Sequence, residues 1–422
     1  MQYKTGVATA ALLSATALAA NSTTSVPSSC SIKSDSTVTA QAQLDQYSGC
    51  QSLVGDLNIG GDSLTGSASL ANVEEIHGSL SVVNATQLVS FAADKLSSIS
   101  GSLKMSQLTL LQSASFGSLQ EVDSINFITL PAISSIATNL KSLNSLEISD
   151  TNLESIDGFN NLETVTDFNV NNNKNLAKIN SKLKSVSDSL QVGYNGDDAD
   201  VKFDSLVWAN NITLRDVSSA SFSKLQKVNQ SLGFINNSIE SLNLSVTSVG
   251  GTLSVVSNDE LTDLEFSNLT SVAGGVVIAN NSKLSNIDGL SKLQTIGGAL
   301  TVIGNFSVLD LDSLKSVKGG ADVETKSSNY TCDSLKKLQK NNAIQGDAFV
   351  CKNGATSTSI KLSSASGSQT VSGSTASSGS KTATASEISS KSSSSKSSGD
   401  AGSQMAPVSF MGAVAAVAVA LL

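Results

Sequence analysis

The chain has 422 residues, a formal net charge of -9 and a pI near 4.7, with charged residues at 14% and aromatics at 4%. This composition excludes long helices laced with ion pairs, and one histidine with Arg215 as the sole arginine leaves little for metal, acid-base or phosphate chemistry. An acidic chain without clustered Lys and Arg does not neutralise a phosphate backbone, so nucleic acid is excluded as a partner.

At the N-terminus Lys4 precedes an apolar run from Val7 to Ala20 that closes on Ala17-Leu18-Ala19. A charged start, a short apolar core and small residues at a cleavage point predict a secretory signal peptide over residues 1–19. A secreted chain reads its cysteines as disulfides, and the four form two local pairs, Cys30 with Cys50 and Cys332 with Cys351. Neither spacing fits a C-x-x-C zinc or redox motif. Residues 20–56 are expected to be a cap tied by the first bridge, with a short amphipathic helix from about Thr37 to Tyr47.

Residues 57–331 repeat one short pattern about a dozen times. Apolar-polar-apolar triplets recur at Leu57-Asn58-Ile59, Leu80-Ser81-Val82, Leu103-Lys104-Met105, Ile125-Asn126-Phe127, Leu146-Glu147-Ile148, Phe168-Asn169-Val170 and Leu190-Gln191-Val192. They continue at Ile212-Thr213-Leu214, Leu232-Gly233-Phe234, Leu253-Ser254-Val255, Val276-Val277-Ile278 and Leu300-Thr301-Val302. Alternation of period two predicts a short strand with every second side chain inward. An interval of about 20 to 24 residues lies in the range of solenoids, in which a unit too small for its own core stacks on its neighbours.

A second apolar group follows each triplet, such as Phe91, Leu96 and Ile99, or Phe266, Leu269 and Val272, and is expected to line the remaining walls. Gly78, Gly101, Gly251, Gly274, Gly298 and Gly319 mark a recurring turn. A polar column at Asn84, Asp150, Asn172, Asp216, Asn236 and Asn280 is expected to face inward and satisfy corner backbone groups. The fold class is therefore an all-β parallel solenoid, either one continuous stack or two abutting modules.

Residues 332–353 are expected to form the second disulfide-tied cap, with a helix from about Asp333 to Asn341. Residues 354–399 are dominated by Ser, Thr, Ala and Gly, cannot offset their ordering entropy by burial, and read as a stalk suited to O-linked sugars. Beyond it, the small cluster Ser397-Ser398-Gly399-Asp400-Ala401-Gly402 precedes an apolar tail from Pro407 to Leu422. This is the layout of a glycosylphosphatidylinositol (GPI) signal, with Gly399 as the attachment residue, Ser398, Asp400 and Gly402 as alternatives, and residues 400–422 removed. The tail is shorter than a helix spanning the roughly 30 Å hydrocarbon core requires.

The run Leu44-Asp45-Gln46-Tyr47-Ser48-Gly49-Cys50-Gln51-Ser52-Leu53-Val54-Gly55-Asp56-Leu57-Asn58-Ile59 resembles the opening of a receptor L-domain, a right-handed parallel β-helix of leucine-rich character. With the secretory start, Ser/Thr stalk and lipid signal, the chain is similar to the fungal GPI-anchored leucine-rich-repeat proteins of the cell wall. That resemblance implies a non-enzymatic, monomeric surface glycoprotein that supports wall organisation and integrity. Its implied partners are a GPI lipid in the outer leaflet of the plasma membrane and wall β-glucan or related glycans. It supplies no catalytic residue, metal or cofactor to carry over.

Ten Asn-x-Ser/Thr sequons occur, at Asn21, Asn84, Asn211, Asn229, Asn236, Asn243, Asn268, Asn280, Asn305 and Asn329. Since an inward amide has no room for a sugar, Asn211, Asn268 and Asn329 are expected to be better acceptors than Asn84, Asn236 and Asn280. The densest group of functional appearance is Asp197, Asp198, Asp200 and Asp204, near Tyr194, Phe203, Trp208 and Arg215. Such carboxylates serve glycan-cleaving or calcium sites on parallel β-helices, and a solvated loop is the plainer reading. Tyr194 and Trp208 are candidate glycan-stacking residues, and His77 reads as a turn residue. A receptor-like module that binds glycan or peptide is the alternative function, and a glycan-modifying enzyme the third.

Overall fold

In a computed structural model the described residues are 27–34 and 36–355. The expected signal peptide, stalk and lipid-attachment tail lie outside them, as do Asn21, Ser398, Gly399, Asp400 and Gly402. The chain divides into two compact units between Leu176 and Ala177. In each, every strand pairing is parallel and joins one coil to the next, so the fold is an all-parallel β-solenoid.

In the N-terminal unit each coil has three walls. The first wall stacks Thr37–Val38, Leu57–Gly60 and Leu80–Val83 in register, Leu57 opposite Leu80. The ladder continues through the longer strands Ser98–Ser106, Glu121–Leu130, Ser142–Thr151 and Thr164–Asn171, whose leading residues form the third wall before bending into the first. The second wall is Gly66–Ser69, Leu88–Ala92, Ser113–Ser115 and Ser135–Ala137. Leu80 and Leu103 are fully buried, as the alternation requires, and Phe91 stacks 5.8 Å from Phe116 inside the second wall.

The C-terminal unit repeats the plan from Lys178–Asn180 onward. Its first wall runs through Ser185–Gly193, Trp208–Arg215, Leu232–Ile235, Leu253–Val256, Val276–Ala279, Leu300–Gly304 and Ala321–Thr325. The shortest step pairs Ile212 with Leu232 and the longest of the regular coils pairs Val276 with Leu300. The corner into the third wall is a Phe-x-x-Leu turn in several coils, closed by Leu206 N–H donating to the Phe203 carbonyl at 3.0 Å and Leu269 N–H to Phe266 at 2.9 Å, with Leu290 and Leu311 in place of Phe in later coils. Burying each such Leu or Phe contributes roughly 1.5–3 kcal/mol.

Between third and first walls the coils nearly touch. A Cβ on Gly274 would sit 2.7 Å from the backbone of Gly251, and one on Gly298 2.8 Å from Gly275 N. Glycine is required there by close approach of adjacent rungs.

Both disulfides form, Cys30–Cys50 with a Cα separation of 5.7 Å and Cys332–Cys351 with 6.0 Å. The expected helix over Thr37 to Tyr47 is shorter. Gln41–Leu44 is α-helical and Asp45–Tyr47 a 3-10 turn, while Thr37–Val38 is extended because its backbone pairs with Asn58 and Ile59. At the other end Asp333–Lys340 is helical, Tyr330 packs edge-on to Phe306 at 5.2 Å, and burial pushes the Tyr330 phenol up to about 12. Phe349–Lys352 returns to pair with Ala321–Glu324 as a last rung.

The polar column is the main correction. Asn84, Asp150, Asn172, Asp216, Asn236 and Asn280 do not face the interior. Each holds a left-handed backbone, φ between 52° and 57°, and all but half-buried Asn280 are exposed. The inward positions are one residue later, at Asn173 in the first unit and Asn195, Asn237, Asn258 and Asn281 in the second, all buried. A left-handed residue turns the strand at each corner and shifts the in-out alternation by one.

The buried amides form a ladder. Asn258 Oδ1 accepts from Asn237 N–H at 3.0 Å and from Asn237 Nδ2 at 2.9 Å, while Asn258 Nδ2 donates to the Phe234 carbonyl at 3.0 Å and to Asn281 Oδ1 at 3.1 Å. In the first unit Asn173 Oδ1 accepts from Thr151 N–H and Oγ1. Asn258→Ala strands a buried N–H and a carbonyl and is expected to cost about 2–4 kcal/mol. Asn236→Gly, at the outward corner, is expected to change stability by less than about 0.5 kcal/mol, since glycine accepts the left-handed backbone freely. Denaturant midpoints of the two variants check the assignment, which equal losses would refute.

Candidate functional site

The strand Ser185–Gly193 ends at Tyr194, which occupies the left-handed corner with φ of 55° and is 56% exposed. The next strand, Trp208–Arg215, begins with Trp208 on the third wall, in register with Ser185, and carries Arg215 on the first. Tyr194 therefore neighbours Asp216 at the corner, while Trp208 lies eight residues back along the same strand, up to roughly 26 Å away. The two aromatics do not form one clamp.

The acidic group is divided as well. Asp200 lies on the second wall, ion-paired with Lys202 and accepting from Ser219 Oγ. Asp204 is the second residue of the Phe203–Leu206 turn and accepts from Ser221 Oγ and from Ser223 N–H at 3.1 Å. Burial raises the Asp200 pKa, but the hydrogen bonds from Lys202 and Ser219 outweigh it and hold the carboxyl below its ordinary value. The hydrogen bond from Ser221 does the same for Asp204, aided by Ser223. These carboxylates tie adjacent coils together. Asp197 and Asp198 are exposed in the connection between walls, and Arg215 is half-buried on another wall.

Among the described residues no three His, Cys, Asp or Glu side chains are grouped to hold a metal ion. His77 ends the short strand Glu75–His77, with its imidazole 3.5 Å from Glu75 on an exposed face. On the last coils Asp322 carries a carboxyl pushed up by burial and then by Glu324, which itself is paired to Lys352 at 2.8 Å.

All nine sequon asparagines in the described residues reach solvent. Asn84, Asn229, Asn236, Asn243, Asn268, Asn305 and Asn329 are exposed, and Asn211 and Asn280 are half-buried. The ranking read from the sequence changes accordingly. Asn84 and Asn236 point outward at corners, whereas Asn211 accepts from Ser231 N–H at 3.1 Å and donates to the Asp188 carbonyl at 3.4 Å. Asn268 and Asn329 are exposed.

No protein-family model matches the chain. The "Cell wall mannoprotein PST1" of Saccharomyces cerevisiae is 55% identical over 332 residues, covering 78% of this chain and 74% of that protein. The chain belongs to the fungal Pst1/Ecm33 family of cell-wall proteins. Within that family the "Cell surface GPI-anchored protein ECM33" of Candida albicans is 34% identical over 339 residues, 79% of this chain and 81% of that one. "Sporulation-specific protein 2" of S. cerevisiae is 35% identical over 317 residues, 74% and 63% of the respective chains. A leucine-rich repeat protein from Bacteroides ovatus aligns with a TM-score of 0.22 and 12% identity over 63% of this chain and 88% of that one, too loosely to add to the strand register. As a Pst1/Ecm33 family member the protein resides at the cell surface, in the wall layer.

Two outcomes follow for this surface. Glycopeptide mapping of the native protein is expected to find Asn84 and Asn236 occupied and Asn211 bare; a loaded Asn211 would contradict the coil geometry. Asp204, with a folded pKa below the ordinary 3.8, adds stability that is complete above about pH 4 and is lost as pH falls through the folded value. Asp204→Asn is therefore expected to be less stable than the native protein at pH 7, by at most about 1 kcal/mol given its exposure, with the gap closing toward pH 2. Denaturation midpoints across that range test it.

Proposed function

We propose that the protein is a non-enzymatic glycoprotein, secreted through residues 1–19, lifted on the stalk 354–399 and tethered at Gly399 by a GPI lipid, that maintains the organisation and integrity of the fungal wall. The observation that carries this reading is the 55% identity to a cell wall mannoprotein across 332 residues. The geometry supports it. Asp200 and Asp204 are committed to hydrogen bonds between coils, and sequon asparagines project from several walls of the stack. A solenoid with its apolar residues inward and its sequons outward is a rigid support for sugar in a polysaccharide matrix.

The test is genetic and biochemical. Deleting the gene in the source fungus is expected to raise sensitivity to wall-binding dyes and to lytic glucanase. The double variant Asp197→Asn, Asp198→Asn is expected to restore resistance fully. If that variant reaches the surface at native levels and fails to restore, the carboxylates perform chemistry and the non-enzymatic reading falls. Release from cells by phosphatidylinositol-specific phospholipase, compared with glucanase, separates lipid tethering from linkage to wall glucan.

A further inference from the structure

Among the described residues two side-chain oxygens are buried with no hydrogen-bond donor from the protein, Asp322 Oδ1 and Gln339 Oε1. Gln339 is uncharged, so only Asp322 can relieve the loss by changing its protonation. Asp322 lies on Ala321–Thr325, where the alternation sets it outward on the first wall between buried Ala321 and Val323. In register, Thr301 flanks it on the inner side and Val350 on the outer side, and neither offers a countercharge. The charged groups facing it are Glu324, two residues along on the same face, and Lys352, opposite Glu324 in register and ion-paired to it at 2.8 Å. Burial, then Glu324, push the Asp322 carboxyl above its ordinary value, and Lys352 offsets them in part.

The two rungs that flank Asp322 are unequal. Leu300–Gly304 is paired on both sides, and its inward Leu300 and Val302 are buried. Among the described residues Phe349–Lys352 pairs on one side only, with Ala321–Glu324, and its inward Phe349 and Cys351 are half-buried. A buried charge without donors favours any motion that lets water reach it. The rung that moves at least cost is the last one, and the Cys332–Cys351 bridge keeps it attached when it does. A neutral carboxyl makes no such demand.

We propose that the last rung is a pH-sensitive latch, docked on Ala321–Thr325 while Asp322 is neutral and loosened when Asp322 gives up its proton to solvent. The sign follows from burial. A carboxyl held above 3.8 in the docked rung contributes stability that is fully present below pH 3.8 and is lost as pH rises through the folded value. The trend opposes that of Asp204, whose contribution is lost as pH falls. The Glu324–Lys352 pair spans the same two strands, but its lysine is 62% exposed and solvent screens it. The rung ends at Lys352 and the described residues end at Ala355, so the latch lies at the foot of the expected stalk. It rests on the fold and is independent of the wall function proposed above.

The test follows amide hydrogen exchange in the full-length protein from about pH 3 to about pH 7, corrected for the intrinsic rate. Ala321 N–H donates to the Ala348 carbonyl at 2.9 Å and reports on the last rung, while Leu300 N–H donates to the Gly320 carbonyl at 3.0 Å and reports on the coil before it. In native protein Ala321 is expected to lose protection relative to Leu300 as pH rises, a ratio from which effects on the whole stack cancel. Asp322→Asn, uncharged at every pH, is expected to keep at neutral pH the ratio that native protein shows in acid. Val350→Thr sets a hydroxyl donor in register with Asp322 and is expected to shrink the pH dependence. Glu324→Gln is expected to retain a dependence of the same sign, since burial is the larger cause. The proposal is overturned if the native ratio ignores pH or moves the other way, or if Asp322→Asn keeps the native dependence. Should Asp322→Asn fail to fold, an undiminished dependence in Val350→Thr overturns it equally.

Discussion

The structure depends on one constraint, that a coil of about twenty-two residues exposes too little apolar surface to itself to form a core. Leu80 and Val82 are buried because Leu57 and Ile59 lie on one side of them and Leu103 and Met105 on the other, and Phe91 because it lies between Ala68 and the Ala114–Phe116 segment. Stability in such a stack is a sum of interfaces between neighbours. It follows that the ends need covers, and the two disulfides stand where the ladder would otherwise stop. Cys351 lies within the last rung itself, in register with Val323.

The same constraint explains what could be read from the sequence. Triplets such as Leu253-Ser254-Val255 announce strand, register and inward face together, because a shift of one residue would put Leu253 in water. The glycines between walls were legible as a recurring turn, although what requires Gly251, Gly274, Gly298 and Gly319 is a backbone-to-backbone approach that tolerates no side chain. The corner was not. Asn236-Asn237 and Asn280-Asn281 each present two adjacent amides, and strict alternation selects the first of each as the inward one. The left-handed residue breaks that alternation, so Asn237 and Asn281 carry the ladder and Asn236 and Asn280 face out. Nothing in composition distinguishes the two members of each pair; the sequon pattern does, since the sequon asparagine comes first and the buried one fills the middle position.

The candidate site was legible in part. Tyr194, Trp208, Arg215 and the aspartates stand out in the sequence because they are rare residue types gathered in about twenty positions. Proximity along the chain misleads in a solenoid, where one coil passes every wall. Asp200 and Trp208 are neighbours in sequence and sit on different walls, while Gln191 and Thr213 are a coil apart and face each other across the ladder. Only register brings Gln191 and Thr213, a coil apart in sequence, onto one face of the ladder.

This division between inward and outward positions bears on how such a protein acquires a binding function. Inward residues are fixed by contact with two neighbouring rungs, so a change at Phe234 or Leu253 disturbs three coils. Outward residues meet only their flanking outward neighbours, and replacing Thr213 or Gln191 leaves the ladder intact. The first wall thereby offers a flat, rigid field on which side chains vary almost independently at a spacing of about 4.8 Å along the stack. The entropy that a flexible site would lose on binding is already lost on folding, so whatever meets such a wall meets groups fixed in place beforehand.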